Sequence, residues 1–138
     1  MEVKYKSANP IAYKSEHAAG IDLPLLQDIT ISKGTVIKAA TGVSVEIPTG
    51  YVGLLAVRSS LAAKGVMLVN GIGVIDSDYR GEIGVLLTNI TDEPMELKAL
   101  DRIGQLIIVE CPKVHLTKVA ELSSTQRGAG GFGSTGTK

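Results

Sequence analysis

An all-β fold, a β-sandwich or jelly roll carrying one short helix, is what this 138-residue sequence predicts. Short β-branched and aliphatic runs, each bounded by turn residues, fill the middle of the chain, and only one stretch carries a helical signal. With 16 Gly, a single Phe and no Trp, the core is aliphatic and the turns are many. In chain order, Ala18-Ala19-Gly20-Ile21-Asp22-Leu23-Pro24 places Asp22 on an apparent strand between apolar neighbours. A strand follows at 29–31, and Lys33-Gly34 reads as a hairpin turn. Residues 41–47 alternate, with Val43, Val45 and Ile47 on one face; Pro48-Thr49-Gly50 stops them, and 51–57 follows as a nearly continuous apolar strand. Residues 59–64 read as the helix, with a Ser cap, Leu61-Ala62-Ala63 as its body and Gly65 as its stop. Strands at 66–69, 82–89, 95–97 and 102–109 complete the set, with Asp92-Glu93-Pro94 as a second hairpin turn.

The length is that of one domain, long enough to bury roughly two-thirds of its unfolded surface. Fourteen basic and fourteen acidic side chains cancel, which argues against a nucleic-acid groove, because such a groove needs a clustered cationic excess to release counterions. No apolar run approaches the ~18 residues of a membrane span, and Met1-Glu2-Val3-Lys4 opens no signal peptide, so a cytoplasmic protein without membrane contact is expected. The single Cys111 excludes an internal disulfide framework and a Cys-based zinc cluster. His17 and His115 have no partner at metal or triad spacing and read as surface residues. From Arg127 the composition turns too Gly-rich to pack alone, dividing the chain into a core, 1–126, and a tail, 127–138. That tail reads as a frayed terminus but for one feature. It holds the only Phe, Phe132, among Arg127, Ser134 and Thr135, which together offer a stacking face, a cation and hydroxyls to a nucleotide.

Two matches in the tail fail as fold signals. Gly128-x-Gly130-x-x-Gly133 has no helix after it and no βαβ unit around it, and a near P-loop has Ser134 where its Lys must stand. Consecutive Gly amides can nevertheless curl around phosphate oxygens. Elsewhere, Arg58-Ser59-Ser60-Leu61-Ala62-Ala63-Lys64-Gly65 joins a strand end to a helix start, where free amides, two hydroxyls and a guanidinium suit an anion; a capped helix with a surface Arg is the plainer reading. Asn70-Gly71-Ile72-Gly73-Val74-Ile75-Asp76-Ser77-Asp78-Tyr79-Arg80-Gly81 suggests a glycine hairpin that a flat ligand can approach closely, with two carboxylates and a Tyr next to it. Asp22, expensive to bury unless paired or bound, reads equally as functional or as half of a structural ion pair.

In order, these segments resemble the five motifs of the homotrimeric dUTPases, with Arg102-Ile103-Gly104-Gln105-Leu106-Ile107 as the fourth and Arg127 to Gly136 as the fifth. The resemblance implies a distorted β jelly roll in a threefold homotrimer, with each site shared by three subunits and closed by an exchanged C-terminal arm. It implies hydrolysis of dUTP, with Mg²⁺, to dUMP and pyrophosphate by in-line attack of water on the α-phosphorus, clearing dUTP from the DNA precursor pool and supplying dUMP for thymidylate synthesis. By similarity, Asn70, Gly73 and Ile75 would read uracil, Tyr79 would lie against the deoxyribose, and Asp76 would contact the 3′-hydroxyl and orient the water. Arg58, Ser59, Ser60 and Gln105 would hold the phosphate chain, Phe132 would stack on uracil, and Arg127, Gly133, Ser134 and Thr135 would engage the outer phosphates. Asp22 would face Mg²⁺ through water.

Ser60 stands where Gly is commoner and Ile21 where Tyr is common. Because Arg-Ser-Ser also looks like the dCTP deaminases, relatives with the same fold, deamination is a competing reading. Against it, Leu86 falls where those enzymes carry a catalytic Glu, and Tyr79 where they usually carry Trp. A dUTP-gated interaction module is the second alternative, but no extra domain or long insertion marks a partner surface.

Overall fold

The computed structural model describes residues 1–132, so the roles read for Gly133, Ser134 and Thr135 lie outside the described residues. In chain order come β1 (Lys4–Lys6), β2 (Ile21–Pro24), β3 (Ile29–Ile31), β4 (Val36–Ala40), β5 (Ser44–Glu46) and β6 (Tyr51–Val57). A single turn of helix, α1 (Ser59–Ala62), precedes β7 (Val66–Leu68), β8 (Gly73–Ile75), β9 (Gly84–Asn89), β10 (Met95–Leu97) and β11 (Arg102–Glu110). The strands form a four-stranded sheet β2-β11-β6-β8, a three-stranded sheet β4-β9-β7 and the two pairs β1-β5 and β10-β3. Every pairing is antiparallel. No two consecutive strands pair with each other, the mark of a jelly roll wound across its own core.

That winding corrects three readings from the sequence. Lys33-Gly34 and Asp92-Glu93-Pro94 are turns but not hairpins: each carries the chain from one sheet to another. The Gly71–Gly73 turn likewise joins β7 of the three-stranded sheet to β8 of the four-stranded one. Local alternation identifies a strand; it holds no information about which edge that strand will meet. The core follows the alternation well. Val43, Val45 and Ile47 are buried on one face, and both larger sheets contribute to a single aliphatic cluster that includes Leu23, Leu55, Leu106, Val85 and Leu87. Each such side chain is worth roughly 1.5–3 kcal/mol of transfer free energy. Among the described residues, no helix is long and apolar enough to cross a membrane.

One buried amide ties the smaller pairs to the rest. Asn89, fully buried, donates from Nδ2 to Ile31 O at 3.0 Å and Glu93 O at 2.7 Å, and its Oδ1 accepts from Thr91 N and Thr91 Oγ1. With all its hydrogen-bonding capacity used, it costs nothing to bury and fixes β3 and the β9–β10 connection together.

The turn before β11 is strained. Asp28 accepts from Ala99 N at 2.8 Å and from Lys98 Nζ at 3.1 Å, and Asp101 Oδ2 accepts from Lys98 N at 2.8 Å. The Ala99 amide, then the Lys98 ammonium, holds the Asp28 carboxyl below its ordinary range. This support lets Leu100 sit at φ 72°, a left-handed conformation for a γ-branched residue, with its side chain exposed. Leu100→Gly should therefore raise stability by about 1 kcal/mol, a few degrees in Tm. An unchanged or lower thermal midpoint would show that the turn relieves the strain in another way.

Candidate functional site

Two groups of polar side chains stand apart on the four-stranded sheet. The first gathers where β2, β11 and the end of β6 meet. Gln105 lies directly opposite Asp22 on one side and Ala56 on the other, and Arg58 follows the last residue of β6. Asp22 is 6% exposed, so its charge needs compensation. Arg102 Nη1 donates to Asp22 Oδ2 at 2.8 Å, Arg58 Nε lies 3.3 Å from Oδ1, and Gln105 Nε2 donates to Oδ1 at 3.5 Å. The Arg58 contact is Coulombic only. Its buried Nε is too poorly aligned to count as a hydrogen bond and has no other acceptor among the described residues. A side chain at Gly20 would press on Gln105, 3.0 Å from its Cβ, which accounts for the small residue before Ile21.

The helix start differs from the sequence reading. The N-cap is Arg58, in extended conformation at φ −70°, ψ 140°, and no side chain caps the helix. Ser59 and Ser60 occupy its first two positions instead. Arg58, extended and directly after β6, turns its guanidinium back to Asp22, and neither hydroxyl is spent on capping. The first-turn amides of Ser59 and Ser60 make no backbone hydrogen bond, leaving the donors a helix start ordinarily offers to an anion.

The second group surrounds β8. Leu55 pairs with Gly73 and Gly53 with Ile75, which brings Asp76 beside Val52. The strands approach so closely that a Cβ on Gly73 would lie 2.9 Å from Leu55 Cβ. Asn70 and Gly71 are exposed on the turn above, where Ile72 N donates to Asn70 O at 2.7 Å. Asp76 lines a hollow of about 350 Å³ with Ile75, Tyr79, Glu82, Lys38 and Leu86. Leu86, an aliphatic side chain, therefore stands in the hollow where a deaminase-like chemistry would need a proton carrier. The rim is built rather than loose: Tyr79 Oη donates to Glu82 O at 2.9 Å, Gly42 N donates to the Glu82 carboxylate at 2.9 Å, and Arg80 Nη1 donates to Ser77 O at 2.7 Å.

The described tail residues, 127–132, belong to neither group in this chain. Among the described residues regular structure ends at Glu110, and residues 111–132 are irregular and almost entirely exposed, the boundary read at Arg127 falling inside that stretch. Arg127 Nε donates to Gly130 O at 2.9 Å, closing a small turn, and Phe132 is fully exposed at φ 51°.

For a metal, the described residues offer no group of three or more His, Cys, Asp or Glu side chains. Asp22, the buried carboxylate of the first group, has both oxygens facing cations or an amide. Such a donor set fits a divalent cation that phosphate oxygens hold and that the protein reaches through water. Sequence reasoning passed over Arg102, because an Arg opening a strand ordinarily points to solvent and its three-residue spacing to Gln105 puts the two on opposite faces of a regular strand.

The family model for dUTPase matches residues 6–136. The deoxyuridine 5′-triphosphate nucleotidohydrolase of Nautilia profundicola is 45% identical over 141 residues, covering 99% of each chain. Among solved structures, a mutant dUTPase of Staphylococcus bacteriophage 80alpha with dUpNHpp superposes with TM-score 0.89 at 26% identity, covering 98% of each chain. A mutant dUTPase from phage phi11 of S. aureus, whose structure describes coordination of a structural Mg(II) ion, shares the fold with TM-score 0.79 at 22% identity over 88% of this chain and 98% of that one.

The rim of the second group yields a packing test. The Tyr79 ring lies directly against Gly81, where a Cβ would overlap its hydroxyl and ring carbons. Gly81→Ala should swing the ring off Glu82 O, change the near-ultraviolet circular dichroism of the tyrosines and cost about 1–3 kcal/mol, with the sheets intact. An unaltered tyrosine signal and midpoint would mean that the ring is not seated as described.

Proposed function

The chain belongs to the dUTPase family, and we propose that its two polar groups, contributed by different copies of the chain, together hydrolyse dUTP to dUMP and pyrophosphate. One observation carries the shared site. Asp76 lies beside Val52 and Arg58 follows Val57, so about 20 Å of strand, at ~3.3 Å per residue, separates them. They also diverge sideways, because β8 flanks β6 on one side while Arg58 turns toward Asp22 across β11 on the other. A water held by Asp76 and a triphosphate held by Arg58 cannot meet in one copy. Exposed apolar side chains favour association: Ile72 and Val74 along the edge strand β8, and Val114, Leu116 and Leu122 on the irregular arm. A homotrimer in which that arm crosses to a neighbour fits both.

In this reading the backbone of residues 70–75 pairs with the uracil edge through Asn70, Gly73 and Ile75, a pattern cytosine inverts, for a discrimination of order 10⁴. The Tyr79 ring, held by Glu82 O, lies under the deoxyribose and rejects a 2′-hydroxyl by clash. Asp76 accepts a proton from the attacking water and orients it in line with the α-phosphorus, a contribution of about 10²–10⁴ in rate. Arg58, the Ser59 and Ser60 amides and hydroxyls, and Gln105 grip the phosphate chain and stabilise the charge that moves onto pyrophosphate. Phe132 stacks over uracil from a further copy while Arg127, Gly133, Ser134 and Thr135 close on the outer phosphates and exclude water. Mg²⁺ bound with the triphosphate would neutralise charge on the leaving pyrophosphate, and Asp22 is the residue that would face it through water. The product dUMP serves thymidylate synthesis, and removal of dUTP keeps uracil from DNA.

The shared site predicts complementation. Asp76→Asn and Arg58→Gln should each lose most turnover alone while binding as trimers. Mixed trimers, refolded together, should regain about a quarter of wild-type activity, since a site with both intact groups forms at that frequency in a cyclic trimer. Mixed trimers as inactive as the parents would place both groups in one copy. With the wild type, dUTP should give pyrophosphate and dCTP no ammonia; ammonia would select deamination, and neither product would select a binding module.

Tyr79→Ala should relax discrimination against UTP far more than against dCTP, measured as the ratio of kcat/KM values. Equal relaxation would remove Tyr79 from sugar selection.

A further inference from the structure

We propose that Asp22 is a positioning residue of the phosphate half-site, holding the guanidiniums of Arg58 and Arg102 side by side, with Arg102 as a second guanidinium for the triphosphate; this rests on the dUTPase reading above. The geometry is built for that purpose. Side chains alternate along a strand, so Arg102 and Gln105, three apart, would point to opposite faces of a regular β11. The register against β2 instead shifts by one residue between Arg102 and Gly104, where Arg102 pairs with Pro24 and Gly104 with Leu23. That bulge brings Arg102 onto the face of Gln105, and both reach the same carboxylate, at 2.8 Å and 3.5 Å.

Charge and exposure give the cluster its direction. One buried carboxylate between two guanidiniums leaves a net positive site, with the Asp22 side chain 6% exposed, Arg58 24% and Arg102 41%. The anion is therefore innermost, and the cations lie between it and solvent. Asp22 uses one oxygen for each guanidinium, so neither Arg is gripped bidentately and both keep further N–H groups for an acceptor. The Arg58 Nε–H, buried and without an aligned acceptor, shows a guanidinium held by charge and not yet locked by hydrogen bonds. Without the carboxylate, two like charges this close would repel and leave the sheet end; with it they are aligned before substrate arrives, which lowers the cost of ordering long side chains on binding. Asp22 then acts through Arg58 and Arg102, and that effect follows phosphate count whether or not the metal is bound.

The test is titration calorimetry of the full-length assembled protein with dUMP and with nonhydrolysable dUpNHpp, each in Mg²⁺ and in excess chelator. Asp22→Asn should weaken dUpNHpp about 10–100-fold in chelator as well as in Mg²⁺, while dUMP stays within about threefold of wild type. Loss seen only with Mg²⁺ would assign the carboxylate to the metal and overturn the proposal. Equal loss for dUMP, or no loss, would overturn it as well. Arg102→Gln provides a second variant should Asp22→Asn not assemble: it should show the same phosphate-selective loss, restored in part by Arg102→Lys, and an unchanged dUpNHpp affinity would refute the Arg102 role. A wild-type protein that binds neither nucleotide would instead defeat the dUTPase reading itself, before any variant is compared.

Discussion

The structure turns on strand β6. It is straight, seven residues long, flanked by β11 on one side and β8 on the other, and its side chains alternate between the core and the open face. Through β11 it fixes the position of Asp22 and its arginines; through β8 it fixes Asp76 and the Tyr79 rim. Because hydrogen-bonded strands do not stretch, the two groups cannot be brought together by any local movement. On the shared-site reading proposed above, the fold holds two half-sites that a second copy completes; activity would then follow assembly by mass action, and a dilute or dissociated chain would be inactive without being unfolded.

The buried charge at the end of β6 has a cost that explains its form. Removing a carboxylate from water costs several kcal/mol even after relaxation, and a matching apolar residue would often be more stabilising. Asp22 is therefore weak evidence for stability and stronger evidence for placement. The uncapped helix start points the same way. A Ser at the N-cap would have satisfied one amide locally; with Arg58 there instead, amides and hydroxyls remain for an external acceptor beside the positive cluster. At this corner the molecule gives up local satisfaction, as expected where an anionic ligand supplies the missing partners.

Much of this was legible in the sequence, and the remainder has physical causes. Short apolar runs bounded by turns found β6, β3 and β10 residue for residue, and alternation identified the buried face of Val43, Val45 and Ile47, because both are local properties. They missed β1, β4 and β8: Lys4-Tyr5-Lys6 and the Val36–Ala40 run carry mixed polarity along sheet edges, and Gly73–Ile75 reads as part of a glycine turn. Pairing was illegible throughout, since every partner of every strand is remote in sequence. At the site, the residue types of the five motifs were enough to nominate Arg58, Asp76, Tyr79 and Gln105. They could not give the sense of Asp22, whose partners depend on a bulge that no composition rule anticipates. Leu100 was equally silent: nothing in Ala99-Leu100-Asp101 announces a left-handed backbone, which is imposed by Asp28 and Asp101 gripping the turn on both sides.

The arm beyond Glu110 follows the same logic as the split site. Leu116 and Leu122 are almost wholly exposed, and Phe132 is fully exposed among the described residues. Apolar side chains left in water gain nothing from the fold of one copy, so the free energy that orders this segment must come from outside it. The function proposed above supplies two sources in sequence along the arm: a neighbouring copy for the nearer aliphatic residues, and a stacked base for Phe132. A segment anchored at its root by assembly and at its tip by ligand would pay most of its ordering entropy at the first step, leaving the second small and readily reversible. In the proposed hydrolysis that division would let the tip shut out water during attack and open when the phosphate chain is cut.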